Sequence, residues 1–413
     1  MKTLTALIIL LPAIFFGQSW ENTFGKGFGR YAIQNTEGDY VITGYTYSHD
    51  IFLLKVDQNG DTIWRKIYNS TEDDKSNFVQ QTTDGGYIIV GSRDTSMDFE
   101  DVYIIKADIN GDTLWTEKYG GPNIDAGYSS VQTTDGNYVI TGRSGFQLLL
   151  MKINNNGEVI WSKTYGEQFR NSGSSIQQTS DTCLIVTGYV FNGDIGNCVY
   201  ILKSDYNGDT LWTKIIHITG EEFGSSIHQT IDGGYIITGQ TWSSTSSYDV
   251  LLLKTDEFGN TLWYKSYGGS DGDYGSSIQQ TNDDGYIICG TKDQVPYTSE
   301  IYLIKTTNTG DTLWTETYGG DGHHIGYAVQ QTFDNGYLLT GTCSSDIGFV
   351  ACLIKTDENG GILSTIEIPI TDPNRRLLKI IDFSGREIRN LEMYQPFIEV
   401  YDDGTTQKKM IIK

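Results

Sequence analysis

The chain has 413 residues, 52 acidic against 29 basic side chains, a formal charge of −23, 48 glycines and 6 prolines. That charge argues against a general nucleic-acid binder and against adsorption to an anionic membrane surface, because little is present to neutralise phosphates. With 12% aromatic and 20% charged residues it is not an acidic disordered tail, and abundant glycine with little proline suits many short strands joined by tight turns.

At the N-terminus, residues 1–17 place a single positive charge, Lys2, before an apolar run from Leu4 to Phe16, with small residues at Gly17 and Ser19. The run is too short for a membrane span and has the layout of a secretory signal peptide. No other stretch approaches the roughly 18 apolar residues of a spanning helix. The expectation is an exported chain with no membrane span.

Residues 18–369 are dominated by internal repetition. One glycine recurs at Gly44, Gly91, Gly142, Gly188, Gly239, Gly290 and Gly341, at spacings of 47, 51, 46, 51, 51 and 51 residues. Each unit reads as four short strands. Strand a is of the Ser277–Thr281 type, b of the Tyr235–Gly239 type and c of the Val250–Lys254 type, and d begins at Thr-Leu-Trp (Thr261 to Trp263). Strands b and c are nearly continuous apolar runs, which implies burial on both faces. Four-stranded sheets of that kind must stack on copies of themselves, and seven arranged radially make an all-β propeller whose closure protects its edges. Trp20 to Gly25 looks like a strand d without its preceding strands, while the seventh unit carries Ser364 at its tryptophan position. The N-terminal strand is therefore expected to complete the seventh blade.

The interval from the strand-c lysine to the strand-d tryptophan is nine residues in six units, from Lys55–Trp64 to Lys305–Trp314, whereas the b–c interval varies. Variation thus collects on the face that carries the b–c and d–a loops, and binding is expected there. The loop aromatics Trp242, Tyr45, Tyr47, Tyr189, Phe191 and Tyr297 are the candidate binding residues, suited to a glycan or a protein surface; the alternative is that they fold over the blade edge.

The recurring polar residues have two readings each. The c–d turns (Asp57 to Asp61, Asp108 to Asp112, Asp205 to Asp209) read as Asn-Gly hairpins, with a weak calcium site as the alternative. The seven strand-c lysines, ending with Lys355, read as snorkelling side chains paired with turn aspartates of their own or the next blade, or else as an anion site. Gln34, Gln80, Gln177, Gln279 and Gln330, with His228 at the same position, read as hydrogen bonds between blades or as channel ligands. The strand-d tryptophans read as inter-blade packing. His323-His324 with Asp321 is a weak metal candidate. No catalytic signature is present, so no catalytic residue is assigned; the carboxylate pairs Asp271/Asp273 and Glu221/Glu222 are the only basis for a polysaccharide hydrolase. Neither a metal nor a cofactor is expected. Among five cysteines, Cys183/Cys198 or Cys343/Cys352 could bridge neighbouring strands, and Cys289 reads as core.

The stretch Val102 to Trp115, a strand followed by a Gly turn and a docking tryptophan, resembles the blade repeat of quinoprotein-like propellers. The resemblance covers most of residues 20 to 368 and implies the architecture; no adjacent cysteine pair or calcium set matches that family's quinone site. In the tail, Ile380 to Ile388 and Phe397 to Lys413 resemble a type IX secretion C-terminal sorting domain of Bacteroidota. Residues 370–413 also change composition, with 8 basic against 7 acidic side chains and no repeat. That resemblance implies a small β-sandwich-like unit, export by Sec, passage through the type IX secretion machinery as partner, and release or surface attachment.

Overall fold

The computed structural model describes residues 19–95, 99–166, 170–193, 195–242, 247–294, 298–362, 377–381, 396–401 and 406–410. The expected signal peptide (1–17), Tyr297 and much of the 370–413 tail lie outside the described residues. The chain divides into two compact units, Met1–Ile362 and Leu363–Lys413.

The first unit contains seven four-stranded antiparallel sheets among the described residues. Blade 1 runs a to d as Phe28–Gln34, Tyr40–Tyr45, Ile51–Val56 and Thr62–Tyr68, and five further blades repeat that order. Blade 7 takes strands a to c from His324–Gln331, Tyr337–Ser345 and Gly348–Thr356, and its strand d from Trp20–Lys26 at the other end of the unit. Trp20 stands opposite Lys355, the pairing made by Lys55 and Trp64 in blade 1 and by Lys305 and Trp314 in blade 6. The expected closure is therefore met in register.

Burial explains why the repeats need one another. Strands b and c are buried along almost their whole length, and each hydrophobic cluster joins two blades. Val41, Ile51 and Leu53 of blade 1 pack on Val79, Tyr87 and Ile89 of blade 2; Leu338 and Leu353 of blade 7 pack on Ile42, Phe52 and Leu54 of blade 1. A lone blade would expose both layers, so the apolar effect drives ring assembly.

The recurring glycine has a local cause. Strand a of every blade carries an irregularity one residue after Gly29, Ser76, Gly127, Gly173, Gly224, Gly275 or Gly326. It swings the strand-a carbonyl toward strand b, so that a Cβ on Gly44 would lie 2.0 Å from the Phe28 oxygen and one on Gly239 1.8 Å from that of Phe223. Only glycine fits there.

Each strand-d tryptophan docks on the c–d turn glycine of the next blade: Trp64 on Gly111, Trp161 on Gly208, Trp314 on Gly360 and, across the closure, Trp20 on Gly60. These glycines hold φ between 76 and 85°, which keeps the turn free of a Cβ under the indole. The indole Nε1 of Trp20 donates to the Gln58 carbonyl at 2.9 Å, and its ring meets Tyr40 edge-on at 5.8 Å. The tryptophans are inter-blade packing, as the repeat implied.

Cys343 and Cys352 form a disulfide between strands b and c of blade 7. Cys183 and Cys198 do not bridge. Cys198 lies opposite Val190, whereas Cys183 precedes Leu184 at the other end of the same hairpin, so strand length separates them. Cys289 is buried. In the second unit the described strands Leu377–Ile381, Pro396–Tyr401 and Thr406–Met410 form one antiparallel sheet in that order. No helix among the described residues is long and apolar enough to cross a membrane.

Candidate binding face

The a–b and c–d turns are frame. All seven strand-c lysines have buried ammonium groups rather than snorkelling ones, each paired within its own blade to an acid of the a–b turn. Lys55 meets Glu37 and Asp39 at 2.6 and 3.0 Å, and the others, from Lys106–Asp84 to Lys355–Asp334, span 2.7–3.0 Å. Burial raises the Asp181 carboxyl, but hydrogen bonds from Lys203 and Thr179 outweigh it and hold the group at about 2. A seven-lysine anion ring is excluded, because each charge is spent on its own turn.

The glutamines form two rings rather than one. Gln34 belongs with Gln81, Gln132, Gln178, Gln229, Gln280 and Gln331, one residue beyond the position of Gln80, Gln177, Gln279, Gln330 and His228. Each Oε1 of the first set accepts an a–b turn amide of the preceding blade at 2.8–2.9 Å, closing at Phe333 to Gln34. Gln80, Gln177, Gln279 and Gln330 each accept the amide of the next blade's ring glutamine. Hydrogen bonding between blades is thus their use. In the c–d turns Asp57 Oδ1 accepts the amides of Asn59 and Asp61 at 2.9 Å, and Asp108 and Asp205 repeat this; these are hairpin turns whose carboxylates are already occupied. His324 is buried at the start of strand a, while the backbone of His323 bonds to Ser344. Neither histidine belongs to a converging three-donor group among the described residues.

On the variable face the predicted aromatics separate into two clusters. At the junction of blades 7 and 1, Tyr45 is buried and stacked on Phe28 at 4.9 Å, and the Tyr47 hydroxyl accepts the Phe349 amide at 2.6 Å. Tyr45 thus folds over the blade edge, whereas Tyr47, anchored by its hydroxyl, keeps about 47% of its surface exposed. At the junction of blades 4 and 5, Tyr189 meets Phe223 edge-on at 5.2 Å, Phe223 meets Tyr248 at 6.2 Å, and Tyr248 meets Trp242 at 4.9 Å. Phe191 and Trp242 remain about 40% exposed. Arg170, Tyr189, Phe191, Asn197 and Phe223 line a cavity of about 380 Å³.

Polar groups are fixed beside that wall. Glu221 accepts from the Tyr248 hydroxyl at 2.8 Å and from Asn197 Nδ2 at 3.2 Å. Burial first, then the Glu221 carboxylate, pushes the Tyr248 hydroxyl up to about 12, so it stays a donor at any physiological pH. Arg170, Asn197, Glu221, Phe223 and Tyr248 were not predicted as binding residues. Phe223 and Tyr248 occupy positions that are aromatic in other blades too, Phe28 and Tyr274 at the first and Phe146 and Phe349 at the second, so the repeat does not single them out.

The larger cavity, about 680 Å³, is the central channel lined by the seven a strands. Its wall is lopsided. The residues at the strand-a irregularity are Tyr327, Arg30, Asn77 and Tyr128 in blades 7 to 3, but Ser174, Ser225 and Ser276 in blades 4 to 6. Arg30 stacks on Tyr327 at 4.4 Å, filling its side. The open, hydroxyl-lined side lies in the same sector as the aromatic pocket; Phe223 and Ser225 are two residues apart on one strand. One member of each carboxylate pair is engaged by its own loop. Asp273 and Glu222 are buried and cap the loop amides of Gly269, Thr219 and Gly220.

Seven radial blades closed by an N-terminal strand place the chain among the β-propellers. Within that class it belongs to the PQQ_2 family, described as outer membrane protein assembly factor BamB, whose profile matches residues 18–263. No curated protein matches it in sequence. Similar solved structures include the Neurospora crassa Pan2 WD40 domain (11% identity, 79% of this chain and 89% of that one, TM-score 0.51) and Sqt1 from Chaetomium thermophilum (11%, 96% and 99%, 0.50). A protein of unknown function from Bacteroides caccae is also similar (14%, 68% and 94%, 0.45). At these identities the likeness is one of fold.

Proposed function

We propose that this protein is a secreted or cell-surface, non-catalytic propeller that binds glycan through the pocket at the junction of blades 4 and 5. The supporting observation is an aromatic wall, partly open to solvent, with Arg170 in its lining and Asn197 and Glu221 hydrogen-bonded beside it. Apolar ring faces take the C–H surface of a sugar while the fixed polar groups take its hydroxyls. A protein partner would use the same wall, and absence of retention on every polysaccharide tested below would favour it. The apolar leader at 1–17 and the tail at 370–413 support export by Sec and then the type IX machinery.

The test incubates the protein with a panel of soluble and insoluble polysaccharides and scores retention and released reducing ends in the same tubes. Retention without release, lost in Phe191→Ala and weakened in Trp242→Ala, is the expected result. Release of sugar would overturn the non-catalytic reading and favour a hydrolase built on loop carboxylates. Retention unchanged in both variants would move the site away from this junction.

A further inference from the structure

The junction of blades 4 and 5 departs from the repeat beside the aromatic pocket. Three positions meet at the variable-face end of each junction: the fifth residue before the strand-c lysine, the fifth after the strand-d tryptophan, and the second before the strand-a glycine. Five junctions have glycine in the middle position: Gly25, Gly120, Gly166, Gly268 and Gly319. The reason is steric. A Cβ on Gly268 would lie 2.2 Å from Asp249 and 2.7 Å from Asp273, and one on Gly166 1.7 Å from Asn171. Between blades 4 and 5 the three positions are instead Cys198, His217 and Glu222, and the histidine ring is accommodated.

We propose that Cys198, His217 and Glu222 form a binding site for a zinc-like divalent transition metal. The donor atoms, Cys198 Sγ, a ring nitrogen of His217 and a carboxylate oxygen of Glu222, all lie within 4.8 Å of one another, with His217 Nδ1 3.1 Å from Glu222 Oε2. A tetrahedral zinc with bonds of about 2.0–2.3 Å holds its ligand atoms roughly 3.3–3.7 Å apart, so small side-chain adjustments complete the site. One sulfur, one imidazole and one carboxylate suit zinc or cobalt and disfavour calcium and magnesium, which take oxygen ligands.

Support around the ligands is built in. Glu222 is fully buried, and its Oε1 accepts the amides of Thr219 and Gly220 at 2.8 and 2.9 Å, which leaves Oε2 aimed at His217. Cys198 is also fully buried, whereas His217 keeps 37% of its side chain exposed. Solvent therefore reaches the site from the histidine side, and three protein donors leave a fourth position for water or an external ligand. Metal binding displaces the thiol proton to solvent and forms the metal–thiolate bond. The site stands independently of the glycan reading, because its geometry uses none of the pocket side chains.

The test titrates the full-length protein, stripped with chelator, with Co²⁺ as the spectroscopic stand-in for Zn²⁺. The expected result is one equivalent bound, with a thiolate-to-cobalt charge-transfer band and tetrahedral ligand-field absorption, both displaced by Zn²⁺. Cys198→Ser should abolish the band, and Cys183→Ser should leave it intact. His217→Gly, which installs the residue found at five other junctions, should weaken binding by about tenfold or more through loss of one of three protein ligands. At the same concentration, Zn²⁺ should raise the Tm of the parent clearly more than that of His217→Gly. Absence of the band, its survival in Cys198→Ser, or equal Zn²⁺ stabilisation in His217→Gly would overturn the proposal. His217→Gly decides the matter if Cys198→Ser does not fold, because the exposed histidine contributes little to the core.

Discussion

Replacing Asp273 by asparagine should stabilise the propeller at neutral pH and should do nothing at about pH 4. Asp273 opens strand a of blade 6, is 1% exposed, and its Oδ2 accepts the Gly269 amide at 3.0 Å. Burial pushes its carboxyl from the ordinary 3.8 up to about 6; the Gly269 amide and Lys292 oppose the rise, while Asp249 and Asp293 add to it. Between pH ~4 and ~6 the native chain therefore holds a proton that the unfolded chain has released. Stability falls as pH rises through that window, and above it the whole penalty is present. A shift of roughly two units corresponds to about 3 kcal/mol.

An amide at this position keeps an acceptor for Gly269 and carries no charge, and Asn171 already occupies the equivalent place in blade 4. Asp273→Asn should therefore gain about 1–3 kcal/mol at pH ~7.5, with the gain shrinking steadily towards pH ~4. Urea midpoints followed by tryptophan fluorescence across that range measure it. A difference between variant and parent that does not change with pH would refute the reasoning, as would a gain that grows on acidification.

Two more expectations concern the frame. Trp20→Ala should cost about 3–5 kcal/mol, because a fully buried indole that joins the two ends of the ring is lost; Trp115→Ala, a partly exposed copy of the same contact, should cost clearly less, and equal urea midpoints for the two would contradict the closure argument. Thr182 sits at φ 65° in the a–b turn of blade 4, where blades 1, 2, 3 and 5 have Gly38, Gly85, Gly136 and Gly233 at φ 81–90°. Thr182→Gly should therefore raise stability by about 1 kcal/mol by relieving a β-branched residue of a left-handed backbone, which thermal denaturation would read as a higher Tm.

Much of the site escaped the sequence because repeats draw attention to what recurs. Tyr45 and Tyr47 are loop aromatics just as Tyr189 and Phe191 are, and nothing local separates the pair that folds onto Phe28 and Phe349 from the pair that borders a cavity. Phe223 and Tyr248 lie in strands and read as ordinary blade residues. Cys198 invited a disulfide reading with Cys183 because both flank one hairpin; the register shows them at its opposite ends. Gln34 belongs with Gln81 rather than with Gln80 because Ile33 holds the Gln80 position in blade 1, as the pairings Ile33–Val41 and Gln80–Ile88 show.

The sequence by itself determined the architecture: the repeat, the apolar b and c strands, the docking tryptophans and the orphan strand at Trp20. These follow from local pattern, since a strand buried on both faces can satisfy itself only against a copy, and a missing strand only from the other end. Tertiary structure alone decided which polar residues are used up and which are left to act. Whether Lys55 faces an anion or Glu37, whether Gln81 faces the channel or Thr36, and whether Cys198, His217 and Glu222 converge depend on side chains brought together by the packing of strands and neighbouring blades. Those distances are set by ring closure, which no window along the chain contains.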